Sequence, residues 1–147
     1  MKSKTNIVII DSNFILLPFQ FKIDYFLEIR EILEGELKFI IFKQILDELE
    51  AKKRREPKAT KFRSFLQAGL SYLEKNSNEF QIKTMEDTKS VHETTDDFLL
   101  KKAIVFSKQG DNVYLATNDS ELRKKALNRH INTIFLRQKK FLTIERT

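Results

Sequence analysis

Ile7, Val8, Ile9 and Ile10 are consecutive β-branched apolar residues, and the run stops at the polar triplet Asp11-Ser12-Asn13. β-Branched side chains suit the pleated surface of a strand. A run with no polar alternation suits a strand covered on both faces, as in a parallel sheet flanked by helices. This stretch therefore restricts the chain to α/β folds before any other residue is considered. It also puts a carboxylate at the carboxyl end of a buried strand, where open α/β sheets form their binding crevices. An Asp in that place is just as serviceable as a helix N-cap. Asp11 alone decides nothing.

The rest of the chain repeats the pattern. Leu37 to Phe42 (LKFIIF) predicts a second buried strand, Phe80 to Lys83 a short third, Val113 to Thr117 a fourth and Ile131 to Leu136 a fifth. The tail FLTIER would add an edge. Phe14 to Leu33 predicts a helix, with Pro18 near its start and Gly35 marking its end. Phe42, Ile45, Leu46 and Leu49 make one helical stripe, which the basic run up to Pro57 breaks or kinks. Phe62, Phe65, Leu66, Gly69, Leu70 and Leu73 repeat that spacing. Met85 to Thr95 is a polar loop, and Thr94-Thr95-Asp96-Asp97 supplies capping groups for a helix over Phe98 to Phe106. Asn118-Asp119-Ser120 opens a helix over Glu121 to Asn128. Strands alternating with helices imply right-handed crossovers and a three-layer α/β/α fold with a central parallel sheet of about five strands. At 147 residues the chain reads as one domain, residues 1–147, with no internal repeat.

Composition narrows the chemistry. Cysteine is absent, so no disulfide framework or thiolate metal site is available. Asp11 interrupts the first apolar segment too early for a signal peptide, and no run has the length of a membrane span. The expected setting is the cytoplasm, without a membrane partner. The formal charge is +6, unevenly distributed. Lys52-Lys53-Arg54-Arg55 with Lys58, Lys61 and Arg63 form one basic segment. Arg123-Lys124-Lys125, Arg129 and the run Arg137-Gln138-Lys139-Lys140 form another. Such clusters are the electrostatic footprint of nucleic-acid binding, though solvated helix faces look the same in sequence.

The acids fall at comparable places. Asp11 and Asp119 end the first and fourth strands, which in a parallel sheet share one rim. On the helix after the second strand, Asp47 points away from the apolar stripe while Glu48 and Glu50 flank it. Helical spacing does not choose between those two. On the later helix Asp96 shares a face with Leu99, Ala103 and Phe106, and Asp97 is turned off that face. Each acid alone could be a cap or a solvent-facing residue. Together they would repel by several kcal/mol per pair at about 4 Å and an effective dielectric near 20. Such a cluster calls for cations, and hard carboxylate oxygens select Mg²⁺ or Mn²⁺. His92 and His130 are isolated and read as surface or packing residues. An acidic metal site in a basic chain suits a phosphodiester substrate. No Gly-rich phosphate loop is present, and Asn13 stands where a haloacid-dehalogenase-type phosphatase would want a second Asp.

The motifs resemble those of the PIN-domain nucleases over essentially the whole chain. IIDSNFILLPF is similar to the family's opening strand, with Asp11 as first acid and Ser12 and Asn13 beside it. ILDELEAKK resembles the second motif, whose acid precedes a leucine, which picks Glu48. TTDDFLL resembles the third, and LATNDSELRKKAL the fourth, with Thr117, Asn118 and Asp119. The closing IFLRQKKF is similar to the tail of the PIN nucleases of small-subunit ribosomal RNA processing, including archaeal relatives. VapC-type toxins are more distant in pattern. The resemblance implies a Mg²⁺- or Mn²⁺-dependent endoribonuclease that uses water as nucleophile on single-stranded RNA. Asp11, Glu48, Asp96 and Asp119 would bind metal, with Asp97 replacing or assisting Asp96. Ser12, Asn13, Thr117 and Asn118 would orient ligands and water. Lys52, Lys53, Arg54, Arg55, Arg123, Arg137, Lys139 and Lys140 would hold RNA. The implied partners are precursor ribosomal RNA, ribosome-assembly proteins and a second copy of the chain. The competing readings are an RNA-holding module of a ribonucleoprotein and a toxin ribonuclease.

Overall fold

A computed structural model describes residues 5–147. The first apolar run becomes β1 (Asn6–Ile10), with Val8, Ile9 and Ile10 fully buried. Three short helices follow: α1 (Ser12–Ile15), α2 (Leu17–Gln20) and α3 (Tyr25–Ile32). The single helix expected over Phe14 to Leu33 is therefore broken twice. Pro18 sits in the first turn of α2, where its missing N–H costs nothing. Lys22 then adopts a left-handed φ of 55°, and Asp24 caps α3 by accepting from the Leu27 amide.

β2 (Leu37–Phe42) leads straight into α4 (Lys43–Arg55), which ends two residues before Pro57. Proline disfavours the helical region for the residue ahead of it, so the basic run closes one helix and α5 (Thr60–Asn76) starts another. Gly69 lets α5 cross α1 at very close range: a Cβ there would stand 2.0 Å from the Ile15 carbonyl oxygen. β3 (Gln81–Met85), α6 (Thr95–Lys108), β4 (Asn112–Ala116), α7 (Ser120–Asn128) and β5 (Asn132–Arg137) complete the alternation. The tail forms a sixth strand, β6 (Phe141–Glu145), antiparallel to β5 across a turn where Gln138 and Lys139 have positive φ.

The sheet order is β3-β2-β1-β4-β5-β6, and every pairing except β5–β6 is parallel. The chain works outward from β1 to one side through β2 and β3, then returns to the other side through β4 and β5. β1 and β4 are thus the adjacent strands whose connections depart in opposite directions. That is where α/β sheets open a crevice at their carboxyl ends. Ile10 pairs with Ala116 in the last register of these strands, so Asp11 and Thr117 emerge side by side. The core behind them is aromatic: Phe26 lies between Phe39, Tyr72 and Phe80, and Phe42 meets Phe98 edge-on. Among the described residues no helix is long and apolar enough to cross a membrane.

Candidate active site

Asp11 is 7% exposed and sits between β1 and α1 as that helix's N-cap. Its Oδ1 accepts from the Ser12 amide at 2.7 Å, and its Oδ2 accepts from the Thr117 hydroxyl at 2.7 Å and the Asn13 side-chain amide at 3.2 Å. Thr117, fully buried just past β4, also takes hydrogen bonds from Asn13 Nδ2 and the Asp119 amide. Asn13 Oδ1 accepts from the Asn118 amide, and Asn118 Oδ1 accepts from the Leu136 amide of β5. Ser12, Asn13, Thr117 and Asn118 therefore stitch together the exits of β1, β4 and β5. The bonds that cross between strands depend on this register, because a slip of one residue turns side chains to the opposite face.

Burial raises the Asp11 carboxyl above its ordinary value; the Thr117 and Ser12 bonds oppose this, and the charges of Asp96 and Asp119 add to it. Asp96, in the first turn of α6, is raised by burial and then by Asp119, with Asp97 and Glu121 adding to the effect and Lys125 opposing it. Lys125 Nζ lies 3.9 Å from Asp96 Oδ2. Asp97 is turned toward Arg129, at 3.7 Å. Asp119 caps α7, its Oδ1 accepting from the Glu121 and Leu122 amides. Asp11 thus feels the charges of carboxylates from two other helix starts at the switch point, and Asp96 feels that of Asp119.

Glu48 comes to the same rim from α4 by another route. Both its oxygens accept from the Thr95 hydroxyl at 2.9 Å, and Oε2 accepts from Gln44. It is exposed, and its carboxylate is tied to the residue just before Asp96. Glu50 faces a different cavity, against Leu66 and Leu70 of α5. The acids are looser than a closed cage: among the described residues no three acids or histidines converge closely enough to hold an ion directly as the side chains stand.

The basic residues divide. Lys52 and Arg55, one helical turn apart, line a cavity of about 330 Å³ with Ser12, Asn13, Leu16, Glu48, Leu49 and Phe62. Lys53 lines a separate cavity with Arg63, Gln67 and Glu74, and its carbonyl accepts from Arg63. Arg54 is exposed. Successive residues of a helix face different directions, so the four basic residues that end α4 do not share one surface. Arg123 lies over the Phe135 ring at 3.9 Å, with its Nε buried and unpartnered among the described residues. Arg137, Lys139 and Lys140 are exposed around the β5–β6 turn. Thr95, Lys125 and Phe62 were not foreseen as site residues. Thr95 looked like one more capping group, and the cap is in fact Thr94. Phe62 has ordinary core spacing, and Lys125 is indistinguishable from its neighbours in a basic run.

A family model described as PIN like domain matches residues 8–139. The chain is 27% identical over 137 residues to the Ribonuclease VapC4 of Methanocaldococcus jannaschii, covering 93% of this chain and 95% of that protein. Its fold resembles that of the PIN domain endonuclease Utp24, with a TM-score of 0.65, 23% identity and coverage of 96% of this chain and 92% of the other. It also resembles a domain of a functionally unknown protein from Methanocaldococcus jannaschii, with a TM-score of 0.61, 16% identity and 99% coverage of both.

Proposed function

Because the chain belongs to the PIN-like domain family, we propose that it is a Mg²⁺- or Mn²⁺-dependent endoribonuclease acting in ribosomal RNA processing. The carrying observation is that the charges of Asp96 and Asp119 reach the buried Asp11 at the switch point of the sheet, and that of Asp119 reaches Asp96. Crowding like charges around the buried Asp11 disfavours its ionised form, and a hard divalent cation is the neutraliser that all-oxygen donors suit. The donor set fits such an ion held partly through water, the usual manner of Mg²⁺. Asp11, Asp96 and Asp119 would hold it, with Glu48 reaching in from α4 and Asp97 available beside Asp96. When bound, the ion supplies an activated water and neutralises phosphoryl oxygens.

The chain's own residues do the rest. Thr117 and Asn13 fix the rotamer of Asp11, so its carboxylate is aimed before any ligand arrives. Thr95 does the same for Glu48. Lys52 and Arg55 offer cations to the phosphates next to the cut. The closing IFLRQKKF supports the ribosomal assignment, with precursor ribosomal RNA as substrate, ribosome-assembly proteins as neighbours and the cytoplasm as setting. The similarity to Ribonuclease VapC4 favours a second reading, a toxin ribonuclease. A short antitoxin frame adjoining this gene distinguishes the two.

The test is Mn²⁺-dependent cleavage of a structured RNA carrying a single-stranded loop. Asp11→Asn should abolish cutting while the circular-dichroism spectrum stays unchanged. Equal cleavage by mutant and wild type would assign the activity to a contaminant and overturn the reading.

A further inference from the structure

The cavity between α1, α4 and α5 is more than a basic edge. Its lining takes Ser12, Asn13 and Glu48 from the carboxylate network and adds the apolar side chains of Leu16, Leu49 and Phe62. Lys52 and Arg55, both exposed, complete the lining. At about 330 Å³ it lies at the small end of ligand pockets, about 300–1,000 Å³. Lys52 Nζ rests 4.5 Å from the centroid of the Phe62 ring, so that half-buried ring offers a face on the cavity side.

We infer that this cavity is a base-binding subsite, in which the base of one nucleotide flanking the scissile phosphate stacks on Phe62 between Leu16 and Leu49. The inference rests on the nuclease reading and names a feature of its substrate. Apolar walls with an aromatic ring suit the faces of a nucleobase, and stacking on an aromatic tolerates any base. Exposed cations in the lining suit the phosphate that must follow such a base. The cavity is continuous with Asn13, itself hydrogen-bonded to Asp11, so a base lodged there leaves its phosphate beside the acids. The interaction that Lys52 makes with the ring is exchanged on binding. An exposed cation–π pair is weaker than base–aromatic stacking, and the freed ammonium turns to the phosphate. An unpaired base enters without the cost of breaking a base pair, so the subsite favours single-stranded RNA.

The experiment uses a labelled single-stranded RNA whose cut position by the wild-type protein with Mn²⁺ has been mapped. Abasic sites are placed at each nucleotide flanking the cut, and kcat/KM is compared between intact and abasic RNA. For wild type, one of the two abasic substrates should be cut about tenfold or more slowly. In Phe62→Leu, which keeps apolar volume but cannot stack, that ratio should fall to near one. Because each protein is compared with itself, a partly destabilised variant still reports. Cleavage with the same intact-to-abasic ratio in both proteins overturns the subsite and leaves the nuclease standing. Failure of the wild type to cleave at all overturns the nuclease reading and the subsite with it.

Discussion

Asp11 is aimed by three donors, and Thr117 is the one that ties it to a second strand. Replacing Thr117 by Val keeps shape and removes the hydroxyl, so Asp11 and Asn13 each lose one hydrogen bond and the Asp119 amide loses its Thr117 acceptor. Activity should drop about 10–100-fold, the usual cost of removing an outer partner of a metal ligand, and Thr117→Ser should restore most of it in the same assay. Asp96 behaves differently. Burial and Asp119 push its carboxyl up, and its one close cation is Lys125 at 3.9 Å. Asp96→Asn should therefore abolish cleavage, yet raise the metal-free protein's denaturation midpoint or leave its stability within about 1 kcal/mol of wild type. A large drop in stability would mean that the carboxylate is structural. Far from the acids, Tyr25 is fully buried, and desolvation followed by the Asp24 charge raises its phenol well above 10.0. Tyr72 is raised by burial and by donating to Asp24. An acid whose folded value lies above its unfolded one leaves stability intact below the unfolded value and takes it away above. The contribution of these two phenols to stability should thus be flat below pH 10 and fall above it, by about 1.4 kcal/mol per pH unit for Tyr25; Tyr72→Phe should shallow that fall in alkaline urea titrations.

At the scale of elements, α4 does two jobs with one basic run. Lys52 and Arg55 flank the cavity beside Ser12 and Asn13, while Lys53 faces α5. Replacing Lys52 and Arg55 by Ala should weaken RNA binding and shrink its salt slope by about 1.4, near 0.7 for each single-strand phosphate no longer neutralised. Replacing Lys53 and Arg54 should leave the slope unchanged; an equal effect from both pairs would return the whole run to a single surface. Gly69 in α5 holds the neighbouring helix in place. A Cβ there would stand 2.0 Å from a backbone oxygen of α1, the helix that carries Ser12 and Asn13. Gly69→Ala should cost about 1–3 kcal/mol by urea unfolding and reduce cleavage with it. Neither feature was legible in the chain. Gly69 and Phe62 keep the spacing of a core stripe, which says that a residue is inward and nothing of how close its neighbour comes. The three short helices replacing one over Phe14 to Leu33 were hidden for a related reason. Apolar residues continue through the breaks, and only Pro18 marks the first of them.

The whole sheet was far more legible. Unbroken apolar runs such as those over residues 7–10 and 39–42 demand cover on both faces, and alternation with helices then dictates parallel strands, while the apolar tail adds an edge. What pattern could not supply was the strand order, and with it the distances among acids separated by up to 108 positions from Asp11 to Asp119. The order places β1 against β4, and that single adjacency brings Asp11 beside Thr117 and within reach of Asp119 and Asp96. The tether of Glu48 to Thr95 was equally hidden, since it depends on α4 and α6 meeting at the rim. Whether a divalent ion settles at this junction decides between a nuclease and a mere cluster of caps. Crystals soaked in Mn²⁺ and measured at the manganese edge should give an anomalous peak among Asp11, Asp96 and Asp119, absent from Asp11→Asn crystals. A map empty there, or with manganese bound only at acids elsewhere on the surface, would contradict it.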